Sequence, residues 1–278
     1  MEEFWLKPDY EVISGSHLYG VNDESSDLDI RGFVVEPIEY ALGLKKFEQY
    51  EPKGEDRVIY GLKKFLQLLT TGNCQCLEIL MASKIKFATV VGMEVALNVN
   101  LFVSKSYYRS IKGFAFAEWR RVRGTMLAPV EQRKSEYDII NEVCSGLSMK
   151  SYDRDKIMGI FSEIGFPLQQ EIKNPNIESR REAEIEKYGY NLKTGYNTIR
   201  LLSQGIELLT CGSMTFPRPE ADLLKQIRAG QISLSELTQY HDKLEKEMDL
   251  AYEQSSLPET ADFNRINDLY IKIIKETI

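Results

Sequence analysis

The chain predicts an α+β fold: a small mixed β-sheet built first, with a helical C-terminal region after it. Three observations carry that reading. Short apolar runs bounded by Gly, Ser and Pro fill residues 11–60. Apolar residues recur at helical spacing from residue 61 onward. No internal repeat or low-complexity tract breaks the order, and strands followed by helices is the α+β pattern.

Taken in order, Phe4, Trp5, Leu6 and Pro8 form a lead-in whose aromatics pack on the core. Glu11-Val12-Ile13 is a short strand ending at Ser14-Gly15. Gly15 permits a sharp turn and close approach of a ligand. Ser16 caps the next helical turn, and its hydroxyl is open to an anion. Free N–H groups at such a turn favour phosphate. Leu28, Ile30, Phe33, Val34 and Val35 read as a second strand. Residues 36–54 are a loop with a short excursion at Tyr40-Ala41-Leu42. Residues 55–60 are a third strand, with Asp56, Val58 and Tyr60 on one face.

Leu62, Phe65, Leu66 and Leu69 mark the buried face of a helix over 61–71, with Lys63 and Lys64 on its solvated side. Gly72-Asn73 ends it. A further helix begins at Cys74 and carries Glu78 among Leu77, Ile79, Leu80 and Met81. A carboxylate in such company is paired or functional. Lys84–Leu101 is apolar and mixed, and closes a first domain, 1–101. The second domain, 102–278, opens with an aromatic-rich helix to Val122 whose stripe reads as core. Arg120, Arg121 and Arg123, with Arg133 and Lys134, form the densest basic run. It is either a path for phosphates or a solvated helix face. About 125–190 reads as a variable insertion. Ile199, Leu202, Ile206 and Leu209 mark a helix within 187–210. Ser233-Leu234-Ser235-Glu236 is a capping-box start, and helices follow over 235–254 and about 262–277.

Composition narrows the function classes. The 278 residues are 43% hydrophobic, enough for a proper core, and the net charge of −7 argues against a surface coated in basic patches for duplex DNA. Four cysteines without a C-x-x-C pair predict no disulfide framework, and two histidines make a His-rich metal site unexpected. The N-terminus lacks a basic-then-apolar leader and no apolar run reaches membrane-spanning length. A reduced, cytoplasmic setting with no membrane partner is the expectation.

The stretch with chemistry in it is Ser26-Asp27-Leu28-Asp29-Ile30-Arg31-Gly32. On a strand, residues i and i+2 point to one side, so Asp27 and Asp29 face the same way, roughly 6–7 Å apart at the backbone. Carboxylates so close resist joint ionisation. A divalent cation between them removes that cost, and Mg²⁺ takes one or two carboxylates together with substrate phosphates.

Strand, Gly15-Ser16 turn, spacer and D-x-D in an apolar strand together resemble the signature of the DNA polymerase beta superfamily of nucleotidyltransferases. Downstream, Tyr60-Gly61-Leu62-Lys63-Lys64-Phe65-Leu66-Gln67-Leu68-Leu69, then Gly72-Asn73 and Leu77-Glu78-Ile79-Leu80, look like the bacterial and phage branch associated with RNA ligases. That branch runs Y-x-L-x-K-F-x-x-L-x-x-x-G-N-P-x-x-x-E-x-L; here Cys74 replaces the proline. Leu201-Leu202, Glu207-Leu208-Leu209, Gly212, Arg218-Pro219 and Ile227-Arg228-Ala229-Gly230 fit the same branch, and about 125–190 does not match. Relatives show K-x-x-x-H-x-x-R-x-L on the later helix. This chain keeps Lys193 and Arg200 and has Asn197 for the histidine.

The resemblance implies a polymerase beta-like catalytic core and a specific set of roles. Gly15 and Ser16 would hold the triphosphate of an NTP such as ATP. Asp27 and Asp29 would hold two Mg²⁺ or Mn²⁺ ions, completed by a third carboxylate, Asp56, with Glu55 as the neighbouring alternative. Lys193 and Arg200 would contact nucleotide or acceptor phosphates; Glu78, Arg31 and His17 form a second tier. The implied reaction moves an NMP to an acceptor hydroxyl. The acceptor is an RNA 3′ end, tRNA-like or broken, with an RNA ligase as functional partner. A protein side chain or small molecule, or a non-catalytic nucleotide-sensing role, stands as the alternative.

Overall fold

The computed structural model describes residues 3–24, 26–127 and 183–277. By the density of their contacts the residues group in two compact units, one of Met1–Trp119 with Lys193–Ile278 and one of Arg120–Leu192. The sheet and the C-terminal helices therefore share the first unit. The expected functional boundary at residue 101 does not coincide with this division.

The five-stranded sheet has the order β3-β4-β2-β1-β5. Its strands are β1 (Tyr10–Ile13), β2 (Ile30–Val34), β3 (Gln49–Tyr50), β4 (Arg57–Gly61) and β5 (Ile85–Ala88). β1 pairs antiparallel with β2 and with β5, and β3 antiparallel with β4. β2 and β4 run parallel, Ile30 opposite Arg57. The sheet is mixed, as expected, and two of its strands carry no strand signature in the sequence. β3 has only two residues, inside the stretch read as loop. β5 and α5 (Val90–Leu97) lie in the stretch left as mixed.

One sheet face is the core. Tyr10 and Phe33 sit opposite each other on β1 and β2, their rings stacked at 5.5 Å, and Phe33 stacks on Phe65 of α3 (Leu62–Thr70) at 4.7 Å. Cross-strand and offset aromatic pairs of this kind add to simple area burial. On α3, Leu62, Phe65, Leu66 and Leu69 are all buried, the i, i+3, i+4, i+7 stripe of a core-facing helix. Its N-terminus is capped from outside: the backbone N–H of Lys63 donates to the buried Glu36 at 3.2 Å. An anion there complements the helix dipole, while burial pushes the Glu36 carboxyl above its ordinary range.

The remaining helices are α1 (Gly15–Tyr19), α2 (Ile38–Ala41), α4 (Cys74–Met81), α6 (Ser106–Leu127), α7 (Leu192–Cys211), α8 (Ala221–Arg228), α9 (Leu234–Gln254) and α10 (Phe263–Thr277). α9 opens on the expected capping box, Ser233 with Glu236. The aromatic stripe of α6 divides. Tyr107 is buried and donates to the carbonyl of Leu69 at 3.0 Å, and Trp119 is buried, whereas Phe114 and Phe116 are exposed. Phe4 and Trp5 pack against Phe47, Tyr40 and Tyr50 beside β3 rather than on the central core. Arg133, Lys134 and nearly all of the expected insertion lie outside the described residues. Among those described, no helix is long and apolar enough to cross a membrane.

Candidate active site

The site forms where β1 ends and where β2 and β4 begin. Gly15 opens α1 at φ +60°, a left-handed conformation that suits glycine. A Cβ on Gly15 would overlap Oδ2 of Asp29, so only a bare backbone lets this carboxylate lie against the turn. The Ser14 N–H donates to the Asp29 carbonyl at 2.9 Å, and the Ile30 N–H to the Asp56 carbonyl at 2.8 Å. Both carboxylates therefore come from segments tied into the sheet. β2 starts at Ile30, so Asp27 and Asp29 precede the regular strand and the simple alternation expected of them is not its geometry.

Arg31 joins the pair. Its Nη2 donates to Oδ1 of Asp29 at 3.3 Å and to Oδ1 of Asp56 at 2.5 Å. Its Nη1 donates to the main-chain oxygens of Ile30 and Asp56, both at 2.9 Å. One guanidinium serves two carboxylates, which leaves negative charge in excess. Burial, then the hydrogen bond and charge of Asp56, push the Asp29 carboxyl up to about 6, with Arg31 opposing. The hydrogen bond from Asp29, then Arg31 and the charge of Lys193, hold Asp56 below the usual carboxylate range. This is the behaviour of two acids sharing one proton.

A cleft of about 550 Å³ adjoins the pair, lined by Asp27, Leu28, Ile30, Gly54, Glu55, Asp56 and Arg57. Asp27 and Glu55 thus flank the pair from the cleft wall. Among the described residues, no three His, Cys, Asp or Glu side chains converge as a metal cluster. Lys193, at the start of α7, lies within electrostatic reach of Asp56, and Tyr196, one turn on, within reach of Asp29. Tyr196 was missed in the sequence, although its i+3 spacing from Lys193 puts both on one helix face. His17 has Nε2 3.4 Å from the Ser26 carbonyl, and its own carbonyl accepts from Lys84 at 2.8 Å.

Glu78 and Arg200 form a separate, buried constellation. Tyr19 donates its hydroxyl to Glu78 at 2.6 Å; Arg200 Nη1 and Gln204 Nε2 each donate to Glu78 Oε1 at 3.1 Å. The Arg200 guanidinium lies 4.4 Å from the Tyr19 ring centre, a cation–π contact. Arg200 Nη1 also donates to Gln204 at 2.6 Å.

The donor set near Gly15 is one of hard carboxylate oxygens, crowded enough that one is held protonated up to about 6. That crowding suits a divalent oxygen-seeking cation. Fold and site together define the class: a mixed-sheet nucleotidyltransferase-type core with paired aspartates beside a glycine turn. The chain belongs to the RNA repair pathway DNA polymerase beta family, whose model matches residues 7–272. It is also 33% identical over 125 residues to the uncharacterized protein MJ0002 of Methanocaldococcus jannaschii. That match covers 41% of this chain and spans only half the length of the relative. No solved structure matches.

Proposed function

We propose that the protein transfers an NMP from an NTP to an acceptor hydroxyl in RNA repair, the acceptor being an RNA 3′ end. The single observation behind this is that Asp29, joined to Asp56 through Arg31, lies against the bare backbone of Gly15. A phosphate-type turn and a metal-type carboxylate pair in contact are what transfer at the α-phosphorus requires. The Gly15-Ser16 turn receives the triphosphate. Asp29 and Asp56, with Asp27 on the cleft wall, are the residues that would hold Mg²⁺ or Mn²⁺. Bound divalent cations would supply Lewis-acid neutralisation of the charge gathering on the phosphoryl group. Arg31 keeps the two carboxylates together, and Lys193 places positive charge on the same side for nucleotide or acceptor phosphate. The new bond joins the acceptor oxygen to the α-phosphorus as the hydroxyl proton passes to the Asp29–Asp56 pair; the bond to the β-phosphate oxygen breaks and pyrophosphate leaves. An RNA ligase is the functional partner that such an end would serve.

The test gives the purified protein each α-labelled NTP with Mg²⁺ or Mn²⁺, total RNA and cell-extract proteins, beside Asp29→Asn and Asp56→Asn. Label in RNA that depends on both aspartates supports the reading. Label in protein instead moves the acceptor to a side chain, an outcome to which the −7 net charge lends weight, since RNA binding gains from basic surface.

A further inference from the structure

α1 is only five residues long, and beyond its own local C-cap several holds on its far end come from residues late in the chain or from α4. The Arg218 N–H donates to the Tyr19 carbonyl at 3.1 Å. Arg228 Nη1 donates to the Val21 carbonyl at 2.8 Å. Pro217 lies so close to Gly20 that a Cβ there would meet it at 2.7 Å. At the centre is Tyr19, whose hydroxyl reaches the buried Glu78 while Arg200 covers its ring. The carboxylate of Glu78 is 2% exposed, and Arg200 and Gln204 satisfy its other oxygen. Burying an ion pair is poor value for stability alone. What this pair does geometrically is fix the last residue of α1, and hence the direction of the turn four residues earlier.

Resting on the nucleotidyl-transfer reading above, we propose that Tyr19 is a positioning residue for the Gly15-Ser16 turn. In this role Glu78 and Arg200 lock it, so that α4 and α7 set the affinity for the NTP triphosphate from behind the site. Neither Glu78 nor Arg200 then touches the nucleotide. They act through the Tyr19 hydroxyl.

Tyr19→Phe removes one oxygen and keeps the ring, its contact with Arg200 and its packing on Phe216. Tyr107→Phe is the matched control, since it removes another buried tyrosine hydrogen bond, to Leu69, away from α1. Affinity for each of the four NTPs with Mg²⁺ is measured by calorimetry, and melting temperature in parallel. Tyr19→Phe should weaken NTP binding about tenfold, the scale of a lost hydrogen bond to a charged group. Tyr107→Phe should lower the melting temperature comparably and leave NTP binding unchanged. Equal NTP affinity in the two variants overturns the positioning role while leaving the nucleotidyltransferase reading intact. Failure of the wild-type protein to bind any NTP overturns that reading, and the inference with it.

Discussion

Two of the carboxylate–guanidinium constellations in this protein use the same chemistry to opposite ends. Around the buried Glu78, one anion meets one cation, a phenol, an amide and the Cys74 thiol, and the charges balance. Around Asp29, two acids share the single guanidinium of Arg31, one is kept protonated up to about 6, and a cleft opens beside them. The first lies in the interior, with the Nε of Arg200 left without a hydrogen-bond partner among the described residues. The second carries surplus negative charge facing a space that a cation and phosphates could fill. On the proposed reading, the surplus charge at an accessible place is the reaction centre and the balanced charge in the interior is its support.

The sharpest way to break this contrast is to neutralise each acid in turn. Asp29→Asn or Asp56→Asn should reduce nucleotidyl transfer by at least about a hundredfold without lowering the melting temperature. Loss of fold instead of activity would make the pair structural. The second test applies one substitution to both sites. Arg200→Gln leaves Glu78 buried and uncompensated, and urea unfolding should show a loss of about 3–5 kcal/mol. Arg31→Gln, at a half-open site, should cost about 1 kcal/mol or less. Similar losses at the two sites would erase the distinction.

A smaller effect is expected at the turn. Gly15→Ala adds a Cβ in a left-handed conformation, worth roughly 1–2 kcal/mol, and displaces Asp29. Transfer should fall further than stability does. The smallest effect concerns Glu36. Its folded-state pKa lies above the ordinary 4.5, so its contribution is present at low pH and lost as pH rises through the folded value. Glu36→Gln should therefore match the wild type in stability near pH 4 and exceed it slightly at neutral pH. A variant less stable at neutral pH would mean that capping of α3 by the charge outweighs burial.

The same contrast explains what the sequence disclosed. The stripe on α3 is a local pattern readable from spacing, and the Gly15-Ser16 turn with Asp27 and Asp29 is a short motif, whereas Asp56 enters only through the resemblance. β5 was not, because an edge strand with Ile85, Lys86 and Phe87 all exposed lacks the alternation that marks a half-buried strand. α5 was missed because it is apolar nearly all round and gives no 3.6-residue rhythm. Glu78 was recognisable as paired or functional, but its partners Tyr19, Arg200 and Gln204 lie 59 to 126 residues away. No spacing rule connects them. Tyr196 does fall under such a rule, three residues after Lys193 on one helix face.

The parallel pairing of β2 with β4 makes the sheet a measuring device. Ile30 lies opposite Arg57, so the residues just before them, Asp29 and Asp56, are delivered side by side by hydrogen bonds two strands share. No loop has to find this arrangement. A single residue inserted between Asp56 and Arg57 would leave every strand paired and the core filled. Yet it would carry the second acid one residue out of register with the first and away from Arg31. On the proposed reading such a protein would fold and yet be chemically silent, and the count of residues at that junction would belong to the site as much as the acids themselves.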